Sequence, residues 1–416
     1  MNSRRFLNLV TEDRRTRVCS LRRINLATHL FYPSTAAAEA ATARREAAIK
    51  ANAERRATAG LRLLRAMATK LGRLPAPRIN VQHAGRTFGE CSSLDLAALL
   101  GDESKILCVD TLGRTCVYDA DSHSVLTAPS LDLTTRAVAD QGAGAGPGGA
   151  IHITIARRTT TDDDDDTWRS TDDEHVYDSL YVMSGNPGGG HCWFQELNYN
   201  GNAYAYGTQV FRWTPLPPPP FHRELYHVVT AHAVVGSTIY VSSRTRTVAP
   251  TSTTYSFNTV TGEWKHVGGW MLPFDGKAEH VPELNNNLWF GLAGSHPFHL
   301  CAADLSDLGC TPPPLLHAWH DLDMPEDWVP QRLHLINLGS GRFCVLKILE
   351  HSAVLDPSDY EYYDNFDGTD DEIDCGFAVL TGVEVVVDHG GGGGLRMIKH
   401  KSRYHMLRDH TIECVL

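Results

Sequence analysis

The sequence has no long hydrophobic run and no secretory leader. None of its apolar stretches approaches the roughly 18–20 residues that a transmembrane helix needs. Near the start of the chain, Phe6–Val10 is too short for the apolar core of a signal peptide, which needs roughly 7–15 residues. The pattern therefore predicts no membrane association. A transit peptide is the competing interpretation, because residues 1–80 are rich in Arg and Ala.

Metal-binding cysteine patterns are missing as well. The ten cysteines include no C-x-x-C pair and no pair with the spacing of a zinc finger or ribbon. Several lie inside apolar runs, as Cys108 and Cys344 do. We interpret them as reduced, buried thiols that act as small hydrophobic side chains. Reduced thiols predict a cytoplasmic or nuclear protein.

The common catalytic signatures are also absent. The chain has no H-E-x-x-H and no G-x-S-x-G motif. Gly144–Gly149 has the letters of a dinucleotide-binding loop but contains Pro147 and opens no helix. His296, His299 and Cys301 lie close together, yet their spacing implies no third metal ligand. The sequence thus predicts no catalytic residue, no cofactor and no metal, and we interpret the protein as non-enzymatic.

Charge is present but unevenly distributed. Residues 1–80 hold 17 Arg and Lys against 5 Asp and Glu, whereas the rest of the chain holds 21 against 44. The basic segment leaves nucleic-acid binding open as an alternative function. We disfavour it because the Arg residues are interleaved with Ala and Glu and the remaining chain is acidic.

Short β-rich apolar runs recur along the chain after turn residues. Their first apolar residues are separated by 74, 59, 49 and 55 residues, and they are Ile106, Leu180, Ile239, Leu288 and Phe343. These steps are typical of four-stranded propeller blades with insertions. Five blades follow from them. The runs at 5–10, 17–22, 78–82 and 411–415 supply strands for a sixth blade that joins the two ends of the chain.

A second recurring unit contains an aromatic residue, Asp or Asn, a polar turn, and then Trp or Val in the outer strand. It occurs at Tyr118-Asp119 and at Phe257-Asn258, where Trp264 follows. The stretch 254–264 resembles a kelch repeat, without the usual Gly-Gly doublet. The predicted fold is therefore all-β, a kelch-like β-propeller of six blades, with five to seven allowed, and with an N-terminal helical insertion.

The predicted organisation is one propeller domain over 1–416, closed by strands from both chain ends. Residues 35–71 are Ala-, Arg- and Glu-rich without Pro, which predicts a helical insertion capped by Ser34 or Thr35 and lying against the side of the propeller. Low-complexity loops are expected at 135–150, 158–176 and 356–374. The last of these is acidic but fails the calcium-loop pattern, because Tyr363 occupies the first ligand position.

Several longer sequence segments resemble a known protein family. They are residues 4–10, 29–34, 270–284 and 299–304, and they resemble a grass-expanded family of uncharacterised plant proteins, the domain-of-unknown-function family 1668. The resemblance implies a kelch-like or F-box-associated-like propeller in a plant and supplies no catalytic residues. No F-box-like helical module precedes the first strand, so we do not expect a ubiquitin-ligase adaptor.

The leading functional hypothesis is a monomeric protein-interaction module. In kelch-like propellers the docking face is formed by loops that link second and third strands and by loops between blades. Four residues are expected there and are the predicted partner-binding residues: Arg114, His191, Arg244 and His296. An enzyme with a pocket in the central channel is the alternative, and a channel filled by apolar and small residues would argue against it.

Overall fold

In the computed structural model the chain is built mostly from β-strands. The structure describes residues 4–52, 71–81, 94–101, 103–110, 112–131, 151–158, 176–185, 194–199, 211–223, 227–245, 247, 249–284, 287–309, 311–322, 330–351, 375–388, 394–407 and 409–416. Among these residues, no helix is both long and apolar enough to cross a membrane.

The two ends of the chain share one antiparallel sheet, blade 1. Its strands are, from the inside outward, β25 (His410–Val415), β1 (Phe6–Asp13), β2 (Cys19–Asn25) and β4 (Pro77–Val81). The last strand of the chain is thus the innermost strand of the blade that the first strand begins. Reciprocal backbone bonds of 2.9 Å between Asn8 and Leu416 extend this pairing to the final residue.

Five further four-stranded units follow in chain order, each with its first strand innermost. Blade 2 comprises β5 (Leu94–Leu99), β6 (Lys105–Asp110), β7 (Thr115–Asp119) and β8 (Ser124–Ala128). Blade 3 comprises β9 (Ile151–Arg158), β10 (Val176–Met183), β11 (Phe194–Tyr199) and β12 (Phe211–Pro215). Blade 4 comprises β13 (His227–Val235), β14 (Thr238–Thr245), β15 (Ser252–Asn258) and β16 (Glu263–Gly268).

The remaining two units complete the series. Blade 5 comprises β17 (Phe274–His280), β18 (Leu288–Ala293), β19 (Leu300–Asp304) and β20 (Leu315–Trp319). Blade 6 comprises β21 (Pro330–Gly339), β22 (Arg342–His351), β23 (Cys375–Val387) and β24 (Leu395–Met406), with the short β3 (Leu71–Gly72) parallel to its outer edge. The inner strands β13 and β17 also pair in parallel over two residues.

Apolar clusters between consecutive blades close the units into a ring. One cluster joins blades 1 and 2, and others join 2 to 3, 3 to 4, 4 to 5 and 5 to 6. A sixth joins blade 6 back to blade 1 through Leu7, Leu9, Leu346 and Leu380, none of them more than marginally exposed. Because each sheet buries both faces against its neighbours, the propeller predicted from the sequence is confirmed.

Indole hydrogen bonds repeat between neighbouring blades. Trp213 in the outer strand of blade 3 donates to the carbonyl of Pro129, and Trp264 in blade 4 donates to that of Pro217, at 2.9 and 2.8 Å. Each Trp thereby ties its blade to the segment that follows the outer strand of the preceding blade. Trp289 makes a similar bond of 2.7 Å to Val234.

The aromatic-Asp/Asn unit of the sequence forms the turn between third and fourth strands. Asp119 Oδ1 accepts hydrogen bonds from the backbone N–H groups of Asp121 and Ser122, and Asn258 Oδ1 accepts from those of Val260 and Thr261. These are Asx turns, in which a side chain replaces a backbone acceptor. The repeated sequence unit therefore encodes a repeated turn.

In the described part of the segment between β2 and β3 there are two helices. A single turn, α1 (Leu26–His29), is capped by Asn25, whose side chain accepts from the Thr28 N–H. The longer α2 (Thr35–Asn52) begins after Ser34, whose hydroxyl accepts from the Ala37 N–H at 3.2 Å. It occupies the first part of the predicted insertion at 35–71, of which residues 53–70 lie outside the described part of the chain.

Helix α2 packs against the outer strands of blade 6. Glu39 forms an ion pair with Arg396, Thr35 donates to Glu384 at 3.0 Å, and Ala38 is fully buried. The predicted loops at 135–150, 158–176 and 356–374 fall almost entirely outside the described residues. The described loops at the two flat ends of the propeller are therefore the shorter ones.

Candidate functional site

Strand order places two sets of loops on each end of the ring. Consecutive strands of a blade alternate in direction, so loops between second and third strands lie on the same end as connections from one blade to the next. We call this end the 2–3 face, and the other end the 1–2 face. The predicted partner-binding residues were assigned to the 2–3 face.

Three of those four residues are described, and each lies at a second-to-third strand connection. Arg114 follows β6, Arg244 lies near the end of β14, and His296 lies between β18 and β19. All three are exposed. His191 belongs to the connection between β10 and β11 but lies outside the described residues. The placement matches the expected loops, while partner binding itself stays a prediction.

The Arg114 loop is held rigidly by one carboxylate. Asp110 is 1% exposed, and its Oδ1 accepts from the backbone N–H groups of Leu112 and Arg114 at 3.0 and 2.8 Å. Its Oδ2 accepts from Arg114 Nε at 2.6 Å. Arg114 is thus a fixed donor whose charge is partly neutralised, and Leu112 beside it is 53% exposed.

Blade 1 contributes a loop that the sequence-based assignment missed. The connection between β1 and β2 carries Arg14, Arg15 and Arg17. Arg17 pairs with Glu12 at 2.8 Å and Arg15 with Asp409 at 3.4 Å, whereas Arg14 is exposed. The sequence would have allowed this loop to be predicted, because these three Arg residues connect two of the predicted N-terminal strands.

A buried charge cluster supports the 2–3 face beneath His296. Asp321 is fully buried, and its Oδ1 accepts from His299 Nδ1 at 3.0 Å and from Lys347 Nζ at 3.3 Å. Burial raises the pKa of Asp321, but the bonds from His299 and Lys347 outweigh it, so the pKa lies below its usual value. Asp321 also accepts from the Leu300 N–H at 3.3 Å. It therefore anchors the end of the His296 loop to blade 6.

The inner strands place polar side chains around the central channel. His152 on β9, His232 on β13 and His334 on β21 interact electrostatically with one another or with Lys277 on β17. Burial, with nearby positive charge, lowers the pKa of His152 and His232 to about 3 and that of His334 to about 4. These imidazoles are neutral at pH 7. The channel is not lined by apolar and small residues alone.

Charged side chains of the channel form ion pairs with one another. Lys277 contacts Glu279 at 2.8 Å, and Arg332 contacts Glu413 at 3.7 Å. Within the described ranges, no cluster of three or more His, Cys, Asp or Glu side chains has an arrangement that would hold a metal ion. His296, His299 and Cys301 do not form such a cluster, and Cys301 donates instead to the Gly291 carbonyl at 3.4 Å.

The free thiols are those of Cys19, Cys108, Cys116, Cys301, Cys344 and Cys414. Cys19, Cys301 and Cys344 are buried, as expected for small hydrophobic side chains, and burial raises the pKa of Cys301 and of Cys344 to about 12. Cys108 and Cys116 face each other across β6 and β7 and are half-buried. The hydrogen bond from Cys108 lowers the pKa of Cys116 to about 7.

Comparisons with known proteins bear on the family. The family model described as a protein of unknown function (DUF1668) matches residues 4–405. No curated protein sequence matches the chain.

Solved structures similar to the chain include the following three. The β-propeller domain of Cps50 (Swd1) from Myceliophteria thermophila is 11% identical, with 74% of each chain covered and a TM-score of 0.31. Hsv2p from Kluyveromyces lactis is 9% identical, with 74% of this chain and 85% of that chain covered and a TM-score of 0.28. The WD40 domain of SCAP from fission yeast is 10% identical, with 76% and 64% covered and a TM-score of 0.28.

Proposed function

For this chain, which belongs to the DUF1668 family, we propose a role as a protein-interaction module that docks an acidic segment of a partner on its 2–3 face. One observation carries the proposal. Arg residues from three separate blades, including Arg14, Arg114 and Arg244, are exposed on that face. A charge-complementary surface of this kind gives specificity and fast association.

The geometry of the loops supports a preformed docking surface. Arg114 is fixed by Asp110, and the β1–β2 loop is closed by Asp13, whose Oδ1 accepts from the N–H groups of Arg15 and Thr16. Fixed donors lose little conformational entropy on binding. Exposed Leu112, next to Arg114, offers an apolar contact within the same surface.

The central channel favours an enzyme less well. A general base works best when its pKa lies near the working pH. Burial and positive charge hold the pKa of His152, His232 and His334 at about 3 to 4, so their imidazoles are weak proton acceptors. A binding role for the chain thus accounts for more of its described polar residues than catalysis does. The kelch-like character, the monomeric state and the cytoplasmic or nuclear location stay predictions.

Nucleic-acid binding through residues 1–80 is also less well supported. Two Arg residues of the β1–β2 loop are paired with carboxylates, and α2 docks on blade 6 through Glu39 and Arg396. If a nucleic acid were the partner, its affinity for the full chain would fall steeply with salt. A nucleic acid that the chain binds with a steep salt dependence would therefore favour this alternative.

Charge reversal on the 2–3 face tests the proposal. The double variant Arg14→Glu/Arg244→Glu should lose proteins that the wild-type chain captures from an extract, and the loss should persist when purified candidates are titrated. Arg114→Gln is preferable to reversal at that position, because a glutamate would lie against the buried Asp110. It should weaken binding by about 3- to 10-fold.

A matched control uses the side of the ring. Lys265 is exposed on β16, the outer strand of blade 4, so Lys265→Glu changes the net charge without touching the 2–3 face. It should retain every specific partner. Equal binding by wild type and the Arg14/Arg244 variant, with both folded, would contradict the proposed docking face.

A further inference from the structure

Two thiols lie side by side in the sheet of blade 2. Cys108 on β6 and Cys116 on β7 are directly opposite each other in the antiparallel pairing of these strands. Their side chains share a hydrogen bond, in which the Cys108 thiol donates to the Cys116 sulfur. The two sulfur atoms are therefore within hydrogen-bonding distance of each other, and no chain segment has to move to bring them together.

The backbone spacing at this pair suits a disulfide. Hydrogen-bonded and non-hydrogen-bonded pairs alternate along an antiparallel ladder. The Asp110 N–H donates to the Arg114 carbonyl at 3.1 Å, so these two residues form a hydrogen-bonded pair. Cys108 and Cys116 lie two positions further along, which makes them a hydrogen-bonded pair with Cα atoms about 5.5 Å apart. Disulfides most often join residues whose Cα atoms are about 5.5–6 Å apart.

The side-chain spacing predicts that this disulfide would be strained. The Cβ atoms of directly opposite residues lie about 5 Å apart in an antiparallel sheet, whereas those of a disulfide lie about 3.5–4.5 Å apart. Closing the bond between Cys108 and Cys116 therefore draws the two strands together. Strained disulfides have higher reduction potentials and are more easily reduced than structural ones. A bond at this position is thus suited to reversible use.

The acidity of the two thiols assigns them different roles. The hydrogen bond from Cys108 lowers the pKa of Cys116 to about 7, against the opposing effects of burial and of the Asp110 carboxylate. The same hydrogen bond, together with burial, raises the pKa of Cys108. About half of the Cys116 side chains are thus thiolates at pH 7, and the thiolate is the form that reacts with oxidants.

Two other thiols at the boundary between blades 1 and 2 are less reactive. Burial raises the pKa of Cys19 to about 11 and that of Cys414 to about 12, and Cys414 Sγ donates to the Ala97 carbonyl at 3.4 Å. Cys116, by contrast, is only half-buried. Cys108 lines a cavity of about 20 Å³, which is room for one water-sized molecule. The pair is therefore open to small molecules from solvent.

We propose that Cys108 and Cys116 form a peroxide-sensitive disulfide site that is oxidised and reduced reversibly. The Cys116 thiolate attacks one oxygen of hydrogen peroxide, the O–O bond breaks, hydroxide leaves, and Cys116 becomes a sulfenic acid. The Cys108 sulfur then attacks the Cys116 sulfur, the S–O bond breaks, and the thiol proton leaves with the hydroxyl group as water. A dithiol reductant restores both thiols and becomes a disulfide itself. The site lies within blade 2 and does not depend on the docking function proposed above.

Peptide mapping of the oxidised full-length chain tests this site. The folded protein is treated with hydrogen peroxide, and its remaining thiols are blocked with N-ethylmaleimide. Trypsin cuts after Lys105 and Arg114, which places the two cysteines in separate peptides, 106–114 and 115–136, with one cysteine each. Mass spectrometry should find these two peptides joined by a disulfide. Dithiothreitol added before the blocking step should remove the link.

Two variants test the separate roles of the thiols. Cys108→Ser keeps a hydroxyl donor beside Cys116 but cannot form the disulfide, so peroxide should leave a sulfenic acid at Cys116 that dimedone captures. In Cys116→Ser, capture at Cys108 should be at least about 10-fold slower, because burial keeps the Cys108 thiol protonated.

Cys414→Ser is the matched control, because Cys414 lies at the same blade boundary and a serine hydroxyl can still donate to the Ala97 carbonyl. It should form the linked peptides as the wild type does. Absence of the link in the folded wild type, a disulfide from either cysteine to a different partner, or capture at Cys108 as fast as at Cys116 would each overturn the proposal. The first two results come from the wild-type chain, so the test stays decisive if a variant fails to fold.

Discussion

At the scale of single residues, the neutral histidines of the central channel have the clearest consequence. His152, His232 and His334 sit on three different inner strands, and His232 is 9% exposed. Nε2 of His232 and of His334 is buried without a hydrogen-bond partner among the described residues. Burial disfavours the protonated imidazoles most, and nearby positive charge, from Lys277 for His152 and His232 and from Arg332 for His334, lowers the pKa values further.

These histidines predict acid destabilisation. In the unfolded chain each imidazole takes up a proton below about pH 6.5, whereas the folded pKa values are about 3, 3 and 4. The unfolded state therefore binds more protons between pH 6.5 and pH 4, and stability falls as the pH drops through that window. Each residue contributes at most about 1.4 kcal/mol per pH unit.

Urea unfolding at a series of pH values measures this effect. The variant His232→Gln should show a shallower fall of the unfolding free energy below pH 6.5, by the equivalent of about one proton. A pH dependence identical to that of the wild type would mean that His232 is protonated in the folded protein.

Lys347 and Asp321 illustrate the limits of residue-scale reasoning. Lys347 lies on β22 within a run of apolar residues, and its exposure is 0%. Its charge is tolerated because it forms an ion pair with Asp321 across a blade boundary, with Nζ 3.0 Å from Oδ2. Nothing in the sequence near either residue indicates the partner, since they are 26 positions apart and come from different blades.

At the scale of elements, the two-residue turn between β21 and β22 shows how backbone geometry restricts a connection. Gly339, Ser340 and Gly341 all have positive φ. A Cβ added at Gly341 would lie 2.5 Å from the Val385 carbonyl oxygen, which is backbone and cannot give way cheaply. The position of the Gly341 carbonyl group also matters for stability, because its oxygen accepts a hydrogen bond from the Val385 N–H at 2.8 Å.

Gly341→Ala should therefore lower the free energy of unfolding by more than left-handed backbone strain alone would. Gly262 in the β15–β16 turn has nearly the same φ, 72° against 71°, but nothing lies within 4 Å of its added Cβ. Gly262→Ala should lose about 1–2 kcal/mol from left-handed strain, and Gly341→Ala about 2–4 kcal/mol. Chemical denaturation of both variants gives the comparison, and equal losses would show that the Val385 contact is relieved at no cost.

At the scale of the whole molecule, the ring is closed by strands from opposite chain ends. β25 is the innermost strand of blade 1 and pairs with β1, while Ile412, Val415 and Leu416 are all nearly buried. Removing this strand leaves β1 as an unpaired edge and opens the apolar cluster between blades 1 and 6.

Deletion of residues 410–416 should thus abolish cooperative thermal unfolding and promote association, observable by calorimetry and size-exclusion chromatography. The control Glu413→Gln keeps the strand, removes the weak ion pair with Arg332 and leaves an amide oxygen that can still accept from the Thr411 hydroxyl. It should unfold as the wild type does, to within about 1 kcal/mol. A monomeric deletion variant with a sharp transition would show that closure is dispensable.

The repeating elements of this protein can be predicted from its sequence. Recurring apolar runs predict the second strands, Tyr118-Asp119 and Phe257-Asn258 predict the third-to-fourth turns, and Ser34 or Thr35 predicts the start of α2. These features depend on neighbours within a few residues, such as the Asx hydrogen bonds of Asp119 and Asn258. Local hydrogen bonds and the alternation of apolar and polar residues depend on residues that are close in sequence, so they can be predicted from the sequence.

Which distant side chains meet depends on the tertiary structure. Arg23 on β2 donates to Asp121, 98 residues away in the turn after β7, although in the sequence Arg23 is one more basic residue of the N-terminal segment. The three channel histidines likewise come from separate blades with no common spacing. Their proximity follows from closure of the ring, which is a property of all six sheets together and of no single segment.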